Sequence, residues 1–241
     1  MHLSILQCGA PPPDIAAKHG LYPDMFERLF AGRGWRFSRY NVEEMVFPDS
    51  PQVADAFLLT GSRHGVYEDH PFIAPLEQFV RDAFEQAVPM LGICFGHQII
   101  AQALGGQVEK ASAGWGLGRQ VYHMTPLGDR ALCAWHQDQV VTPPDGARII
   151  AANGFCPYAG LIYPGERTLT VQAHPEFSTP VAAEFLDLRK NDPAYPPDRM
   201  AAALASLGEP FDIDPVVDYM ATFLERAVED AQKDRPVMKH G

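Results

Sequence analysis

The sequence predicts an α/β fold, in which a mixed, mostly parallel sheet carries helices on both faces and a helical appendage follows at the C-terminus. Two observations predict it. Short apolar runs of strand length alternate along the chain with segments whose apolar residues recur at helical spacing. The strand-like runs are apolar at successive positions, which is typical of strands buried on both faces of a sheet. A chain of 241 residues is long enough to bury a full core around such a sheet.

The first half of the chain predicts the parallel part of the sheet. Residues 3–7 form an apolar run of strand length, and Asp24 is a suitable N-cap for a helix over residues 25–31. The remaining predicted elements are strands at 35–42, 56–61 and 88–93, an amphipathic helix at 71–86, and a helix that follows the last of these strands and ends before Gly105.

After residue 107 the pattern changes to shorter strand-like pieces separated by glycine and proline, so the sheet is predicted to become mixed. Residues 115–118, Trp-Gly-Leu-Gly, are typical of a turn between two strands; an aromatic and glycine loop that walls the active-site pocket is the alternative interpretation. The predicted strands span 119–124, 148–152, 159–163 and 168–173.

The C-terminal part of the chain predicts helices near 180–190, 199–206 and 215–231, with a proline-rich break at 192–197. We expect residues 1–190 to form one domain and residues 191–241 to form a helical appendage packed on it. The polar tail after Asp230 is predicted to be disordered.

The composition and the apolar runs limit the partners and the location of the protein. Nineteen Lys and Arg residues against thirty Asp and Glu residues give a net charge of −11, which opposes affinity for nucleic acid or an anionic membrane. The four cysteines are widely spaced without a C-x-x-C pair, which indicates free thiols and no zinc site. The N-terminal apolar run is too short for a signal sequence, and no later run approaches a membrane span. We therefore expect a cytoplasmic protein.

The most informative stretch contains the motif Gly92-x-Cys94-x-Gly96. A buried strand leads into this motif and a helix leaves it, which is the arrangement of a nucleophile elbow with cysteine in place of serine. The thiol then lies at a helix N-terminus, where unpaired N–H groups and the helix dipole favour a thiolate. The amide of Phe95 can face an oxyanion from the same turn. The pattern predicts a nucleophilic Cys94 rather than a buried structural cysteine.

A cysteine nucleophile needs a base, and the base needs a group that orients it. A strand-like run ends in His174-Pro175-Glu176. Because Pro175 favours an extended turn, His174 and Glu176 project to the same side, and Glu176 can hold one imidazole nitrogen while the other faces Cys94. H-x-E also begins a zinc-deaminase signature, but the P-C-x-x-C that completes it does not follow. We therefore expect no metal and no cofactor.

These two motifs resemble those of the class I glutamine amidotransferase family, the Cys-His-Glu enzymes found in GMP synthase and its stand-alone relatives. The elbow of that family is G-x-C-x-G-x-Q, matched here by Gly92, Cys94, Gly96 and Gln98, and its second motif is H-P-E, matched by residues 174–176. The resemblance spans most of residues 3–177 and implies a flavodoxin-like fold. It also implies that Cys94 attacks the γ-carboxamide of glutamine, that His174 relays the proton, and that a γ-glutamyl thioester is hydrolysed to glutamate.

The resemblance extends to the loop after the third predicted strand, Thr60-Gly61-Ser62, where relatives have a glycine-rich loop. We expect the N–H of Gly61 or Ser62 to join that of Phe95 in an oxyanion hole.

A further segment, residues 135–140, resembles the family's short H-x-D-x-V sequence. The resemblance implies that His136, Gln137 and Asp138 contact the α-amino and α-carboxyl groups of the substrate together with Gln98. A polar loop without such contacts is the alternative interpretation.

The fate of the released nitrogen leaves three functions open. The chain has no Gly-Lys dipeptide and therefore no Walker A loop, so we expect no ATP-using synthetase within it. Either a separate synthetase subunit receives ammonia, or the chain is a self-contained γ-glutamyl peptidase that acts on glutathione-like amides. A non-catalytic regulatory or binding protein of the same fold is the third alternative, against which the intact Cys94, His174 and Glu176 argue. We predict a glutaminase-type hydrolase with a small-molecule substrate, glutamine being the first choice.

Overall fold

The computed structural model describes residues 1–234, which form a nine-stranded mixed sheet between layers of helices and a separate two-stranded sheet. The strands are β1 His2–Gln7, β2 Arg36–Asn41, β3 Ala56–Leu59, β4 Met90–Ile93, β5 Gln107–Lys110, β6 Gly116–Met124, β7 Gly128–His136, β8 Asp138–Thr142, β9 Arg148–Ala152, β10 Gly160–Ile162 and β11 Thr168–Val171. The helices are α1 Pro13–His19, α2 Tyr22–Leu29, α3 Ile73–Glu85, α4 Phe95–Ala103, α5 Thr179–Arg189, α6 Pro197–Ser206 and α7 Ile213–Asp234.

The order of strands in the large sheet is β2-β1-β3-β4-β11-β10-β9-β6-β7. The strands from β2 to β11 pair in parallel, and the remaining pairs, from β11 to β7, are antiparallel. This arrangement confirms the predicted mixed sheet with a parallel core and helices on both sides. The strand order reverses between β1 and β3, and in such sheets a crevice opens at the carboxyl ends of the strands on either side of the reversal.

Alternate side chains of the parallel strands enter two separate cores. In β3, Ala56 and Leu58 pack with α1, α2, α5 and α7, whereas Phe57 and Leu59 pack with α3 and α4. All the residues of β3 and β4 are buried. Burial on both faces explains why the sequences of these two strands are apolar at successive positions.

The C-terminal helices contact strands of both the parallel and the antiparallel part of the sheet. Helix α6 packs on β6, and α7 contacts β4 and β7. Because α7 continues to Asp234, the predicted disorder after Asp230 was wrong for residues 231–234, and residues 235–241 lie outside the described residues. The division of the chain at residue 190 stays a prediction.

The start of helix α2 differs from the sequence prediction. Asp24 is not the N-cap: the helix begins at Tyr22, with Pro23 in its first turn and Leu21 as the N-cap. The carboxylate of Asp24 instead accepts the Leu21 N–H at 2.7 Å. Proline suits the first turn of a helix, because its fixed φ is already helical and its missing N–H would have no partner there.

The region after residue 107 contains more strand than the sequence indicates. The predicted turn at 115–118 was wrong, because Gly116 and Leu117 already pair with His136 and Trp135 of β7. Strands β5, β7 and β8 and helix α1 were not predicted individually. β5 buries only Val108 and is held by pairing with β8, about 30 residues further along the chain, rather than by a local apolar pattern.

Among the described residues, no helix combines the length and the apolar character that crossing a bilayer requires. A cytoplasmic location stays a prediction.

Helix α4 lies so close to the sheet that two glycines leave no room for a side chain. A Cβ at Gly96 would come within 2.2 Å of the Leu59 carbonyl oxygen, and a Cβ at Gly92 within 2.6 Å of the Gly96 oxygen. Both contacts are with backbone, which cannot move aside as a flexible side chain can.

We predict that Gly96→Ala lowers the free energy of unfolding by about 1–3 kcal/mol, the usual cost of overpacking a core. Urea denaturation followed by circular dichroism measures this change. The matched control is Gly154→Ala, because a Cβ at Gly154 has nothing within 4 Å. Equal stability of the two variants would show that α4 can move away from the sheet at little cost.

Candidate active site

Cys94 occupies the sharp turn between β4 and α4. Its backbone has φ 53° and ψ −105°, a region that residues other than glycine rarely adopt. Neighbouring strands hold the turn, because the Cys94 N–H donates to the Val171 carbonyl at 2.9 Å and the Gly96 N–H donates to the Thr60 carbonyl at 3.1 Å. The side chain reaches a cavity at the carboxyl edge of the sheet. The local geometry is therefore that of the predicted elbow.

His174 and Glu176 lie on the segment that leaves β11, the strand beside β4. The Nδ1–H of His174 donates to Oε1 of Glu176 at 2.7 Å, and both side chains are buried. The backbone N–H of His174 donates to the Cys133 carbonyl of β7 at 2.9 Å, and the ring of Phe177 stacks on the imidazole at 4.3 Å. The imidazole also lies close enough to Cys94 for the negative charge of that residue to raise the pKa of His174. The structure thus brings Cys94, His174 and Glu176 together, and their catalytic roles stay a prediction.

The buried charges at this site control the protonation of His174. Burial by itself would lower the pKa of His174, but the negative charges of Glu176 and Cys94 and the hydrogen bond to Glu176 outweigh it and raise that pKa to about 10. A protonated imidazole beside Cys94 is therefore favoured at neutral pH.

The loop after β3 lies against the same two side chains. A Cβ at Gly61 would come within 3.1 Å of His174 Cε1 and 3.8 Å of Cys94 Cβ, so glycine lets the backbone approach closely here. Ser62 lines the cavity. Phe95 is the first residue of α4, so its N–H has no acceptor one turn back in the helix. These positions fit the predicted oxyanion hole, and its function stays a prediction.

Gln98 lines the cavity, but its amide group is engaged by the protein. Its Nε2 donates to the Asp138 carbonyl at 2.8 Å and to Oε1 of Gln172 at 3.0 Å. These bonds tie α4 to the start of β8 and to the end of β11. Gln98 therefore positions Asp138 as well as facing the cavity, and Gln172 is a partner that the sequence analysis missed.

The predicted polar loop at residues 135–140 is the junction of two strands. β7 ends at His136, β8 begins at Asp138, and only Gln137 lies between them, because the chain passes here from the large sheet to the small one. All three side chains line the cavity. The Nδ1–H of His136 donates to the Asp138 carbonyl at 3.1 Å, and burial lowers the pKa of His136 to about 4.

Two polar atoms of this junction are buried and have no protein partner within residues 1–234: Nε2 of His136 and Oδ1 of Asp138. The other oxygen of Asp138 accepts the hydroxyl of Tyr67 at 3.1 Å. Partial burial raises the pKa of Asp138. Because buried polar atoms are nearly always paired, these two acceptors are candidates for binding a ligand ammonium group.

The cavity above Cys94 has a volume of about 540 Å³. Several of its lining residues carry no motif and were not selected by the sequence analysis. Only the three-dimensional structure identifies them, because they come from strands, loops and helices far apart in the chain: Tyr22, Arg63, Lys110, Phe177, Phe185, Arg189 and Tyr195.

Among the described residues, one group of side chains at the cavity mouth has the donor spacing of a metal site. The donor atoms of His64, Glu68 and His70 lie within 4.8 Å of one another. Nε2 of His70 is 2.9 Å from Glu68, and Nε2 of His64 is 3.0 Å from Glu43. Each carboxylate already pairs with an imidazole, so ion pairs account for the cluster without a metal.

A larger cavity of about 730 Å³ lies between α7 and the β9–β11 part of the sheet. Its described lining is mainly charged, includes Arg148, Arg167 and Tyr219, and contains no cysteine or histidine. It therefore offers no thiol or imidazole for covalent catalysis.

We predict that iodoacetamide alkylates Cys94 much faster than the other three cysteines. Burial raises the pKa of Cys156 to about 12 and raises the pKa values of Cys8 and Cys133 further.

We also predict that Glu176→Gln slows the alkylation of Cys94. The substitution removes a charge that raises the pKa of His174, so the imidazolium beside Cys94 is less stable. Alkylation at pH 7 should slow by about tenfold, because the imidazolium that activates the Cys94 thiol is held less firmly beside it.

Mass spectrometry of the alkylated chain measures these rates. Asp129→Asn is the matched control, because it removes a carboxylate that pairs with an exposed histidine, His123, at 3.0 Å. A wild-type alkylation rate in Glu176→Gln would contradict the role assigned to Glu176.

Comparison with known proteins identifies relatives of this chain. Residues 54–188 match the family model "Glutamine amidotransferase class-I", which covers more than half of the chain. A glutamine amidotransferase-like protein of Schizosaccharomyces pombe is 28% identical over 92% of this chain and 98% of its own length. Gamma-glutamyl peptidase 3 of Arabidopsis thaliana is 26% identical over 72% of this chain and 76% of its own length. GMP synthase of Thermus thermophilus is 36% identical, but the match covers 60% of this chain and only 28% of that enzyme.

Solved structures show the same fold. A glutamine amidotransferase of Thermotoga maritima superposes with a TM-score of 0.74 at 20% identity, over 95% of this chain and 99% of that one. A glutamine amidotransferase of Methylobacillus flagellatus superposes with a TM-score of 0.75 at 19% identity, over 99% of this chain and 98% of that one. With the family model matched across the elbow and the H-P-E segment, the chain belongs to the class I glutamine amidotransferase family.

Proposed function

We propose that this chain hydrolyses γ-glutamyl amide bonds through a covalent thioester on Cys94, with glutamine as the smallest substrate. One observation carries the proposal: Cys94 lies on a strained elbow beside His174, and buried Glu176 holds the other side of that imidazole. This is the combination of nucleophile, base and orienting group that acyl transfer requires.

In the first half of the reaction, the Cys94 thiolate attacks the γ-carbonyl carbon of the substrate. The negative charge that develops on the carbonyl oxygen is stabilised by the N–H groups of Phe95 and of Gly61 or Ser62. His174 donates its proton to the leaving nitrogen, the C–N bond breaks, and the amine departs. Glutamine releases ammonia, and the γ-glutamyl group stays bound as a thioester.

In the second half, water attacks the thioester carbonyl and gives a proton to His174. The C–S bond breaks, glutamate leaves, and the thiolate–imidazolium pair is restored. Glu176 keeps its hydrogen bond to Nδ1 throughout, which leaves Nε2 as the nitrogen that exchanges protons. No cofactor is needed for either half.

Recognition of the γ-glutamyl group is assigned to the strand junction beside the elbow. Oδ1 of Asp138 and Nε2 of His136 are buried acceptors in the cavity wall and suit the α-ammonium group of the substrate. Gln98 holds the carbonyl of Asp138 and keeps this junction in place.

A γ-glutamyl peptidase activity is the second candidate, and the size of the cavity favours it. A volume of about 540 Å³ leaves space beyond a glutamine side chain. Relatives named gamma-glutamyl peptidases match this chain over about three quarters of their length, whereas most of the GMP synthase relative lies outside the match. A separate synthetase subunit that receives ammonia remains the alternative if glutamine alone is cleaved.

We predict that the purified chain releases glutamate from glutamine or from γ-glutamyl peptides such as glutathione, and that Cys94→Ala abolishes the release. Cys156→Ala is the matched control, because Cys156 is also buried but does not line the cavity. Chromatographic assay of glutamate and of the released amine measures both steps together.

The outcomes of this assay separate the candidates. Cleavage of glutamine alone supports an ammonia-producing enzyme with a synthetase partner, and cleavage of peptides alone supports a peptidase. If no substrate is cleaved and mass spectrometry detects no γ-glutamyl thioester on Cys94, the proposal is wrong and a non-catalytic binding role is favoured.

A further inference from the structure

The cavity above Cys94 extends past the space that a primary amide requires. Its volume of about 540 Å³ is in the range of about 300–1,000 Å³ for pockets that enclose drug-sized molecules, whereas glutamine loses only ammonia. One part of its lining is formed by the side chains of Trp115, Trp135 and Tyr195, which we call the aromatic wall. We propose that the aromatic wall binds the leaving group, that the leaving group is an aromatic amino acid, and that the substrate is therefore a γ-glutamyl dipeptide. This inference rests on the proposed hydrolysis at Cys94.

The aromatic wall is assembled from three separate parts of the chain and is held together by direct contacts. The ring of Tyr195 lies 4.5 Å from that of Trp115 and 5.5 Å from that of Trp135. The indole N–H of Trp115 donates to the Ala194 carbonyl at 3.1 Å, which fixes the segment between α5 and α6 against the start of β6. Rings that are already in contact lose little conformational freedom when a ligand binds.

A continuous series of rings connects the aromatic wall to the catalytic imidazole. Phe185 contacts Trp135 at 5.5 Å and Phe177 at 4.8 Å, and Phe177 stacks on His174 at 4.3 Å. Phe177 and Phe185 also line the cavity. A leaving group whose nitrogen receives a proton from His174 can therefore place an aromatic side chain against the rings that follow. Aromatic rings pack favourably against one another at such separations.

The charge beside the aromatic wall indicates that the leaving group carries a carboxylate. Arg189 lies four residues after Phe185 on α5, hence on the same helix face, and it lines the cavity. Its guanidinium is 3.1 Å from Asp192 and is partly exposed, so donors remain for a second carboxylate. Tyr195 and Arg189 both lie beyond residue 188, where the family match ends.

Apart from Asp138, which is assigned to the α-ammonium group of the substrate, the other charged groups of the cavity also favour a leaving group with a carboxylate. Arg63 and Lys110 line it and have no carboxylate partner within residues 1–234, whereas Glu43 and Glu68 already pair with imidazoles. Aromatic rings also bind alkylammonium groups, so a diamine is the competing leaving group. The cationic side chains disfavour it, and the experiment includes it.

Binding to the Cys94→Ala chain tests the aromatic wall without requiring turnover. We expect isothermal titration calorimetry to give a Kd for γ-glutamyl-phenylalanine at least about tenfold lower than for γ-glutamyl-alanine. Equal Kd values for the two dipeptides, or tighter binding of a γ-glutamyl diamine, would overturn the inference.

Variants assign the preference to named side chains. Tyr195→Ala should reduce the ratio of the two dipeptide affinities about tenfold, whereas Tyr195→Phe should preserve it because the ring remains. Tyr219→Ala is the matched control, because Tyr219 lines the separate cavity beside α7. Arg189→Gln should weaken γ-glutamyl-phenylalanine more than γ-glutamyl phenethylamide, which lacks the carboxylate. An unchanged affinity ratio in Tyr195→Ala, or equal weakening of both ligands in Arg189→Gln, would contradict the assignment.

Turnover by the wild-type chain separates this inference from the proposed function. A dipeptide preference in binding without any turnover would support the aromatic wall and reject hydrolysis at Cys94. Turnover of glutamine and of both dipeptides with equal kcat/KM would support hydrolysis and reject the aromatic wall as a selective subsite.

Discussion

The close approach of helix α4 to the sheet is the constraint on which the rest of the site depends. Gly96, in the first turn of α4, lies so near the Leu59 carbonyl that only glycine fits there, and Cys94, just before the helix, has a backbone conformation that costs about 1–3 kcal/mol. Hydrogen bonds from Cys94 to Val171 and from Gly96 to Thr60 hold the turn against that strain. The strain has a chemical consequence: the thiol projects from the end of a buried strand into a cavity instead of into the core.

Strand order then decides what surrounds the thiol. β4 lies between β3 and β11, so the glycine loop that follows β3 and the H-P-E segment that follows β11 approach Cys94 from opposite sides. The side chain of Thr60 accepts the Cys8 N–H at 3.0 Å and donates to the Gly61 carbonyl at 3.1 Å, which fixes the glycine loop beside the end of β1. The imidazole is fixed by Glu176 and by the ring of Phe177, while buried charge maintains its proton. The contacts of His174 with its neighbours, above all with Glu176, thus set both the position and the protonation state of the imidazole.

The fold could be predicted where a strand is buried on both faces, because burial alone makes its sequence apolar. β3 and β4 are of this kind. β5 and β7 are not: β5 has one buried residue, and β7 begins with Gly128, Asp129 and Arg130. Such strands are held by pairing with β8 and β6, and the partner of a strand is not encoded in its own apolar pattern. For the same reason, the strand junction at Gln137, where the chain passes from the large sheet to the small one, could not be predicted from the sequence.

The sequence by itself determined the turn at Cys94 and the common direction of His174 and Glu176, because both depend on a few consecutive residues whose glycine or proline restricts the backbone. Only the tertiary structure decided which side chains enclose the remainder of the cavity. Trp115, Trp135 and Tyr195 belong to three separate parts of the chain, and each taken alone is an ordinary partly buried aromatic residue. They become one surface because α5 and the segment after it pack against β6 and β7. Contacts between elements distant in sequence depend on the whole packed core, which no local pattern specifies.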